Sequence, residues 1–117
     1  MPGRGSINRK EAKTGYMKIG DETKERETLA FSALIRGRVQ GVGFRYSAIH
    51  EARRLGLSGW VRNRSDGAVE VWSEGPLEKQ TPFLTWLHRG PPGARVDSLR
   101  YEPRTPTGRY QNFSIRW

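Results

Sequence analysis

The segment over residues 37–43 reads Gly-Arg-Val-Gln-Gly-Val-Gly and places three glycines within seven positions. Before it, Phe31, Ala33 and Ile35 occupy alternate positions, which is the period of a strand. After it, apolar residues recur at helical spacing from Phe44 to Leu55. A glycine loop between a strand and a helix allows positive φ angles and close approach of the backbone to a ligand. This loop is therefore the first candidate for a ligand-binding site.

The rest of the chain continues to alternate between the two periods. The pattern predicts a strand at 57–63, a turn at 65–67, a strand from Val69, a helix between Pro76 and Gly90, a strand over 96–101 and a last strand over 113–117. The order is β-α-β-β-α-β with an extra strand at the C-terminus. It predicts a ferredoxin-like α/β sandwich, in which an antiparallel sheet carries two helices on one face.

The start of the second helix is ambiguous because of Pro82. A proline inside a helix removes one backbone hydrogen bond and clashes with the preceding turn. Thr81 and Pro82 suit an N-cap and a first helical position. We therefore expect the helix to begin, or to kink, at this pair.

The first 28 residues differ from the rest of the chain. They contain glycines, mixed charges and only isolated apolar residues, so they predict a disordered extension ahead of a domain at 29–117. They lack the continuous apolar stretch of a secretory signal and carry more acidic residues than a mitochondrial presequence. No apolar run reaches the roughly 18–20 residues that a membrane span needs. We expect a cytoplasmic protein without a membrane segment.

Composition narrows the possible chemistry. There is no cysteine, which excludes a disulfide framework, a thiolate nucleophile and a cysteine zinc site, and two histidines are too few for a histidine metal cage. The chain carries 21 basic and 12 acidic residues, and in 29–117 nearly all the basic residues are arginine. An arginine-rich domain attracts anions, either small phosphates or nucleic acid.

Arg45 is the first candidate residue, because it falls in the first turn of the predicted helix. Inward-facing N–H groups of the glycine loop and the helix N-terminus would suit a phosphate, and a guanidinium can bind two of its oxygens. The Lys-Ser/Thr pair of a nucleotide-triphosphatase loop is absent. The alternative is an ordinary glycine-rich turn followed by a surface arginine.

Asn63 is the second candidate. A helix from Arg45 to Gly56 spans about 17 Å, and the strand that follows returns about 20–23 Å, so Asn63 should come back beside Arg45. A side-chain amide both donates and accepts, which suits it to orient a water molecule. The alternative is that Asn63 only begins the turn that follows it.

These residues resemble the signature of the acylphosphatase family. The resemblance rests on residues 37–45, on Gly-Trp-Val-Arg-Asn at 59–63 and on the Gly-x-Val-x-Val pattern at 67–71, and it covers about 29–117. It implies a small, metal-free hydrolase that cleaves the carboxyl-phosphate bond of small acyl phosphates and releases inorganic phosphate. We expect it to need no organic cofactor and to be a monomer.

The resemblance also assigns the site. It implies that Arg45 binds the phosphate and that Asn63 positions the attacking water. The phosphate-binding loop would comprise Arg38, Val39, Gln40, Gly41, Val42, Gly43 and Phe44.

Two other functions compete with this one. RNA-binding modules share the ferredoxin-like fold and stack bases on aromatic residues, a role open to Trp60 and Trp72 if both face outward, but the third strand lacks the pattern those modules use. Nucleic acid is therefore an unlikely partner. The other is an accessory acylphosphatase-like domain of the kind found within larger carbamoyl-transfer maturation proteins.

His50 and the tryptophans are weaker candidates for the site. His50 could be a general base, but it lies about 140° around the helix from Arg45. The tryptophans, including Trp86 and Trp117, are expected to pack within the fold.

Overall fold

The computed structural model describes residues 27–117, which form five strands and two helices. In chain order these are β1 (Thr28–Arg38), α1 (Phe44–Arg54), β2 (Ser58–Asn63), β3 (Val69–Pro76), α2 (Leu77–Arg89), β4 (Arg95–Arg104) and β5 (Phe113–Ile115). The predicted extension at 1–28 lies outside the described residues except for its last two, and Thr28 is the first residue of β1. Neither described helix is long and apolar enough to cross a membrane.

The sheet has the order β4-β1-β3-β2-β5 and is mixed. The four strands β1 to β4 pair antiparallel, as predicted, and the extra strand β5 pairs parallel to β2, which makes the sheet mixed. The reason is topological. β4 lies at one edge of the sheet, and the chain then crosses to the other edge through residues 105–112. It reverses direction on the way and therefore runs alongside β2 in the same direction.

Both helices contribute side chains to one core, which places them on the same face of the sheet and confirms the ferredoxin-like fold. The alternation in β1 is as the sequence predicted, because Phe31, Ala33 and Ile35 are all buried. They belong to one core with residues from both helices and from the other strands, among them Ala48, Phe83, Val61, Val71 and Phe113.

The helix α2 starts at Leu77, before Pro82, and so does not begin at Thr81-Pro82 as one of the two predictions had it. Its first turn is fixed by the buried Gln80, whose Nε2 donates to the carbonyls of Leu29 and Ser73 at 3.0 and 3.1 Å. Pro82 is exposed, so its ring displaces no core side chain. These tertiary hydrogen bonds outweigh the single backbone bond that proline removes.

Candidate active site

A small cavity of about 100 Å³ lies where the loop after β1, the first turn of α1 and the end of β2 meet. It brings together both catalytic candidates from the sequence. The lining residues are Val39, Gly41, Gly43, Phe44, Arg45, Tyr46 and Asn63. None of these seven is a carboxylate or a histidine.

Gly41 and Gly43 shape the loop side of the cavity. Both have a φ of +76°, in the left-handed region, and a Cβ on either would meet no atom within 4 Å. Glycine is therefore favoured by backbone conformation rather than by lack of space. Gly43 is the N-cap of α1, and no side chain caps the helix there. The first turn of α1 also contains no acidic residue, so its N–H groups and partial positive charge face the cavity without an anionic neighbour in that turn.

Arg45 is the second residue of α1 and is half-buried. Its guanidinium carbon lies 5.0 Å from the centroid of the Trp117 ring, which is the geometry of a cation–π contact. Trp117 is 86% exposed, so the prediction that it packs within the fold was wrong. Only the path of β5 brings the last residue of the chain to the side chain of Arg45. The sequence carried no signal for that contact.

Asn63 is the last residue of β2, opposite Val69 of β3. Its Oδ1 atom is buried and has no hydrogen-bond partner among the described residues. A buried acceptor without a donor costs free energy unless something fills the position. In the turn that follows, the side-chain acceptor is Asp66 and not Asn63. The Oδ1 atom of Asp66 accepts a hydrogen bond from the N–H of Ala68 at 3.1 Å. The alternative in which Asn63 serves only as a turn residue therefore lacks support.

Not every residue of the predicted loop lines the cavity. Val39 and Phe44 do so from buried positions in the core, and Phe44 packs edge-on against Trp86. Arg38, Gln40 and Val42 are not among the lining residues: Arg38 is exposed at the end of β1, and Val42 packs against the core.

Gln40 has a supporting position instead. Its Nε2 donates to the carbonyl of Arg64 at 2.8 Å and to that of Ala68 at 2.9 Å. These two bonds tie the glycine loop to the turn between β2 and β3. The sequence placed Gln40 in the loop, but only the tertiary structure shows what its side chain binds.

Charge on that turn adds to the support. The guanidinium of Arg64 hydrogen-bonds the Asp66 carboxylate and, together with the Ala68 N–H, lowers the pKa of Asp66 to about 2. Arg36 of β1 also contacts Asp66, at 3.2 Å. Asp66 therefore links β1 to the same turn that anchors Gln40.

The histidines lie away from the cavity. His50 is exposed on α1 and is not a lining residue, as its angular offset from Arg45 predicted. The Nδ1 atom of His88 lies 3.0 Å from the carbonyl oxygen of Leu84, one turn earlier in α2.

The face of the sheet opposite the helices carries Trp60 and Trp72, which are directly paired across β2 and β3. Trp60 is 8% exposed, and its Nε1 donates to the hydroxyl of Tyr110 in the segment that crosses from β4 to β5. The guanidinium groups of Arg62 and Arg116 lie 5.7 and 4.8 Å from its ring centroid. Its ring is therefore not available as an open platform for a base.

The crossing segment is anchored by Glu74 of β3. Its carboxylate accepts hydrogen bonds from Trp72 Nε1, from Thr107 N and Oγ1, and from Gly108 N, at 2.7–3.0 Å. Burial raises the pKa of Glu74, but these bonds outweigh burial and hold the pKa below its usual value. This buried carboxylate is one that the sequence analysis did not single out.

Fold and cavity together define an α/β sandwich with a glycine loop and an arginine beside a small cavity at the start of its first helix. The family model for acylphosphatase matches residues 31–115, and on this match the chain belongs to the acylphosphatase family, whose members are hydrolases. It is 54% identical over 81 residues to a protein named acylphosphatase from Azoarcus sp. (strain BH72), a match that covers 68% of this chain and 83% of the relative.

Solved structures show the same likeness. An acylphosphatase from Bacillus subtilis superposes with a TM-score of 0.73 at 37% identity, over 76% of this chain and 99% of that one. Full-length HypF, in its phosphate- and nucleotide-bound form, matches with a TM-score of 0.71 at 27% identity. That match covers 79% of this chain but only 12% of HypF, so the likeness is to one part of a much larger protein.

Proposed function

We propose that this protein hydrolyses small acyl phosphates to a carboxylate and inorganic phosphate, with Arg45 and the loop over 38–44 binding the phosphate and Asn63 positioning the water. The observation that carries the proposal is the unpartnered Oδ1 of Asn63, buried beside the same small cavity that Arg45 and two left-handed glycines line.

The cavity combines two kinds of group that phosphoryl transfer needs. The N–H groups of the loop and of the α1 N-terminus, together with the Arg45 guanidinium, neutralise charge on the non-bridging phosphate oxygens. The contact with Trp117 holds the guanidinium in one orientation before substrate arrives, so that less side-chain entropy is lost on binding. The site is thus suited to a phosphate group by charge and by shape.

The Oδ1 of Asn63 is placed to accept a hydrogen bond from water, which turns a lone pair of the water oxygen toward phosphorus. In-line attack forms a bond from that oxygen to phosphorus and breaks the bond from phosphorus to the acyl oxygen, which leaves with its electron pair as a carboxylate. The lining residues include no carboxylate or histidine to serve as a base. The proton of the water therefore passes to a phosphate oxygen of the substrate itself.

Three further features belong to the proposal. The reaction needs no metal or organic cofactor, because the leaving carboxylate is stable without a proton and the anionic charge is met by arginine and backbone N–H groups. The protein acts as a monomer and is located in the cytoplasm. Size-exclusion chromatography, cell fractionation and assays in chelator test these features separately.

The test is hydrolysis of acetyl phosphate in chelator by the wild type and by Asn63→Ala and Arg45→Ala. We expect Asn63→Ala to lose about two to three orders of magnitude in kcat while inorganic phosphate still inhibits or protects it as in the wild type. Arg45→Ala should lose both turnover and phosphate binding. Arg100→Ala, at an exposed arginine of β4, is the matched control for loss of one positive charge.

Two outcomes would contradict the proposal. Folded wild type with no rate above buffer would reject the activity. Loss of phosphate binding in Asn63→Ala, with turnover at saturation unchanged, would reject the division of roles between the two residues.

A further inference from the structure

A second and larger cavity, of about 770 Å³, lies between α1 and the segment that joins α2 to β4. We call it the interhelical groove. Its walls are mostly apolar and include Tyr46 and His50 from α1, Trp86 and Arg89 from α2, and Pro91 and Pro92 from the segment after α2. Neither the sequence motifs nor the phosphate site accounts for it.

The groove adjoins the candidate active site at one residue. Tyr46 lines both the small cavity and the groove, and it is 63% exposed. His50 follows one helical turn later on the same side of α1, about 6 Å further along the axis. The groove therefore starts beside Arg45 and runs away from it along α1.

We propose that the interhelical groove receives the hydrocarbon part of the acyl group, and that Tyr46 is a specificity-determining residue that favours acyl phosphates with a longer chain over acetyl phosphate. This inference rests on the proposed function, because the phosphate must occupy the small cavity for the acyl group to reach the groove.

The layers of the fold support this direction for the leaving group. In-line displacement requires the water and the acyl oxygen on opposite sides of phosphorus. Asn63 reaches the cavity from the sheet, whereas Tyr46 reaches it from the helix layer. An acyl group directed away from Asn63 therefore enters the side of the site on which the groove opens.

The chemistry of the walls selects the class of acyl group. Aromatic and proline side chains bury hydrocarbon well but provide few hydrogen bonds. The charged residues of the groove are of both signs, with Arg89 on one wall and Glu51 on the other, so no net charge favours an acidic acyl chain. An unbranched aliphatic acyl group is the simplest ligand that fits.

The experiment measures kcat/KM for acetyl, butanoyl and hexanoyl phosphate. Their leaving carboxylic acids have nearly the same acidity, so chain length changes binding and not intrinsic reactivity. We expect kcat/KM of the wild type to rise about two- to fourfold per methylene. A wild type that hydrolyses all three at the same rate would overturn the inference and leave the proposed function intact. No hydrolysis of any of them would reject the proposed function itself.

Two variants locate the effect. Tyr46→Ala should lower the hexanoyl-to-acetyl ratio of kcat/KM by about five- to tenfold, with inhibition by inorganic phosphate unchanged within about twofold. His50→Trp fills the groove one turn away from the phosphate site and should lower the same ratio. Because His50 is exposed, this substitution should not disturb the core or prevent folding.

The controls separate the groove from general damage. Tyr46→Phe keeps the ring and should keep the wild-type ratio, and Tyr101→Ala removes an exposed tyrosine on β4 and should leave it unchanged. Equal losses with all three substrates in Tyr46→Ala, or an unchanged ratio in both Tyr46→Ala and His50→Trp, would overturn the assignment of the groove.

Discussion

The two helices of this protein begin in different chemical surroundings. The helix α2 starts after Pro76 with Glu78 in its first turn, so an acidic side chain of the same chain offsets the partial positive charge of its N-terminus. The helix α1 starts after Gly43 with no acidic residue in its first turn and with Arg45 there instead. Neither helix has a side-chain cap hydrogen bond.

The positive end of one helix is therefore offset by a side chain of that helix, whereas the positive end of the other is not. Glu78 stabilises α2 electrostatically, and its negative charge weakens the attraction of this N-terminus for an anion. At α1 no acidic residue in the first turn offsets the partial positive charge of the N-terminus, and Arg45 adds a positive charge beside the small cavity. The proposed phosphate site uses this uncompensated positive charge at the N-terminus of α1.

The largest expected effect comes from giving α1 the acidic residue that α2 has. Arg45→Glu should lower kcat/KM for acetyl phosphate by at least about a thousandfold, because it places negative charge at the proposed phosphate site. Its melting temperature should stay within a few degrees of the wild type. An acidic residue stabilises a helix N-terminus, and this gain offsets the loss of the contact between residue 45 and Trp117. Activity within tenfold of the wild type would contradict the comparison.

A smaller effect is expected from the backbone of the loop. Gly43→Ala should cost about 1–2 kcal/mol of stability because the left-handed conformation is unfavourable for alanine, and it should lower kcat/KM about ten- to a hundredfold by tilting the N–H groups. Gly56→Ala is the matched control. Gly56 also has a left-handed φ, +75°, and open space at Cβ, but it follows the C-terminal end of α1. Gly56→Ala should therefore lower stability and leave kcat/KM unchanged. Equal activity losses in both variants would show that strain alone explains the result.

The reverse change at α2 should be smaller still. Glu78→Gln removes the negative charge from the N-terminus of α2 and should lower the free energy of unfolding by about 0.3–1 kcal/mol at low salt. Urea denaturation at two ionic strengths measures this, and the loss should shrink as salt increases. Hydrolysis and phosphate inhibition should not change. A change in either would mean that the two helix termini are not independent.

The last expected effect is one of pH on the turn that supports the α1 end. The pKa of Asp66 is about 2 in the folded protein, below its value in an unfolded chain, so its ion pairs and hydrogen bonds stabilise the fold above about pH 4. That contribution disappears as the pH falls from about 4 to 2. Urea midpoints of wild type and Asp66→Asn should therefore differ at pH 7 and converge near pH 2. A difference that does not vary with pH would exclude this origin.

The sequence predicted most of the fold, since local patterns set it. Alternation in β1 and helical spacing in α1 indicated which residues would be buried. The order of strands and helices then predicted the ferredoxin-like sandwich. The antiparallel prediction holds for β1 to β4, whereas the local pattern did not give the direction of β5. Its direction depends on how the segment over 105–112 crosses the sheet, and hydrogen bonds to the buried Glu74 anchor that segment. The sequence likewise left the start of α2 open at Pro82, because Gln80 anchors the first turn through residues distant in sequence.

The candidate site divides in the same way. The sequence alone indicated the glycine loop, the arginine in the helical turn after it and the asparagine at the end of β2. Each belongs to a short motif, and the lengths of helix and strand bring them together. The tertiary structure was needed to show that Gln40 supports the loop, that Trp117 contacts Arg45 and that Tyr46 lines both the cavity and the groove. These last contacts join residues from different elements, and most depend on where chain segments far apart in sequence cross, which local patterns do not encode.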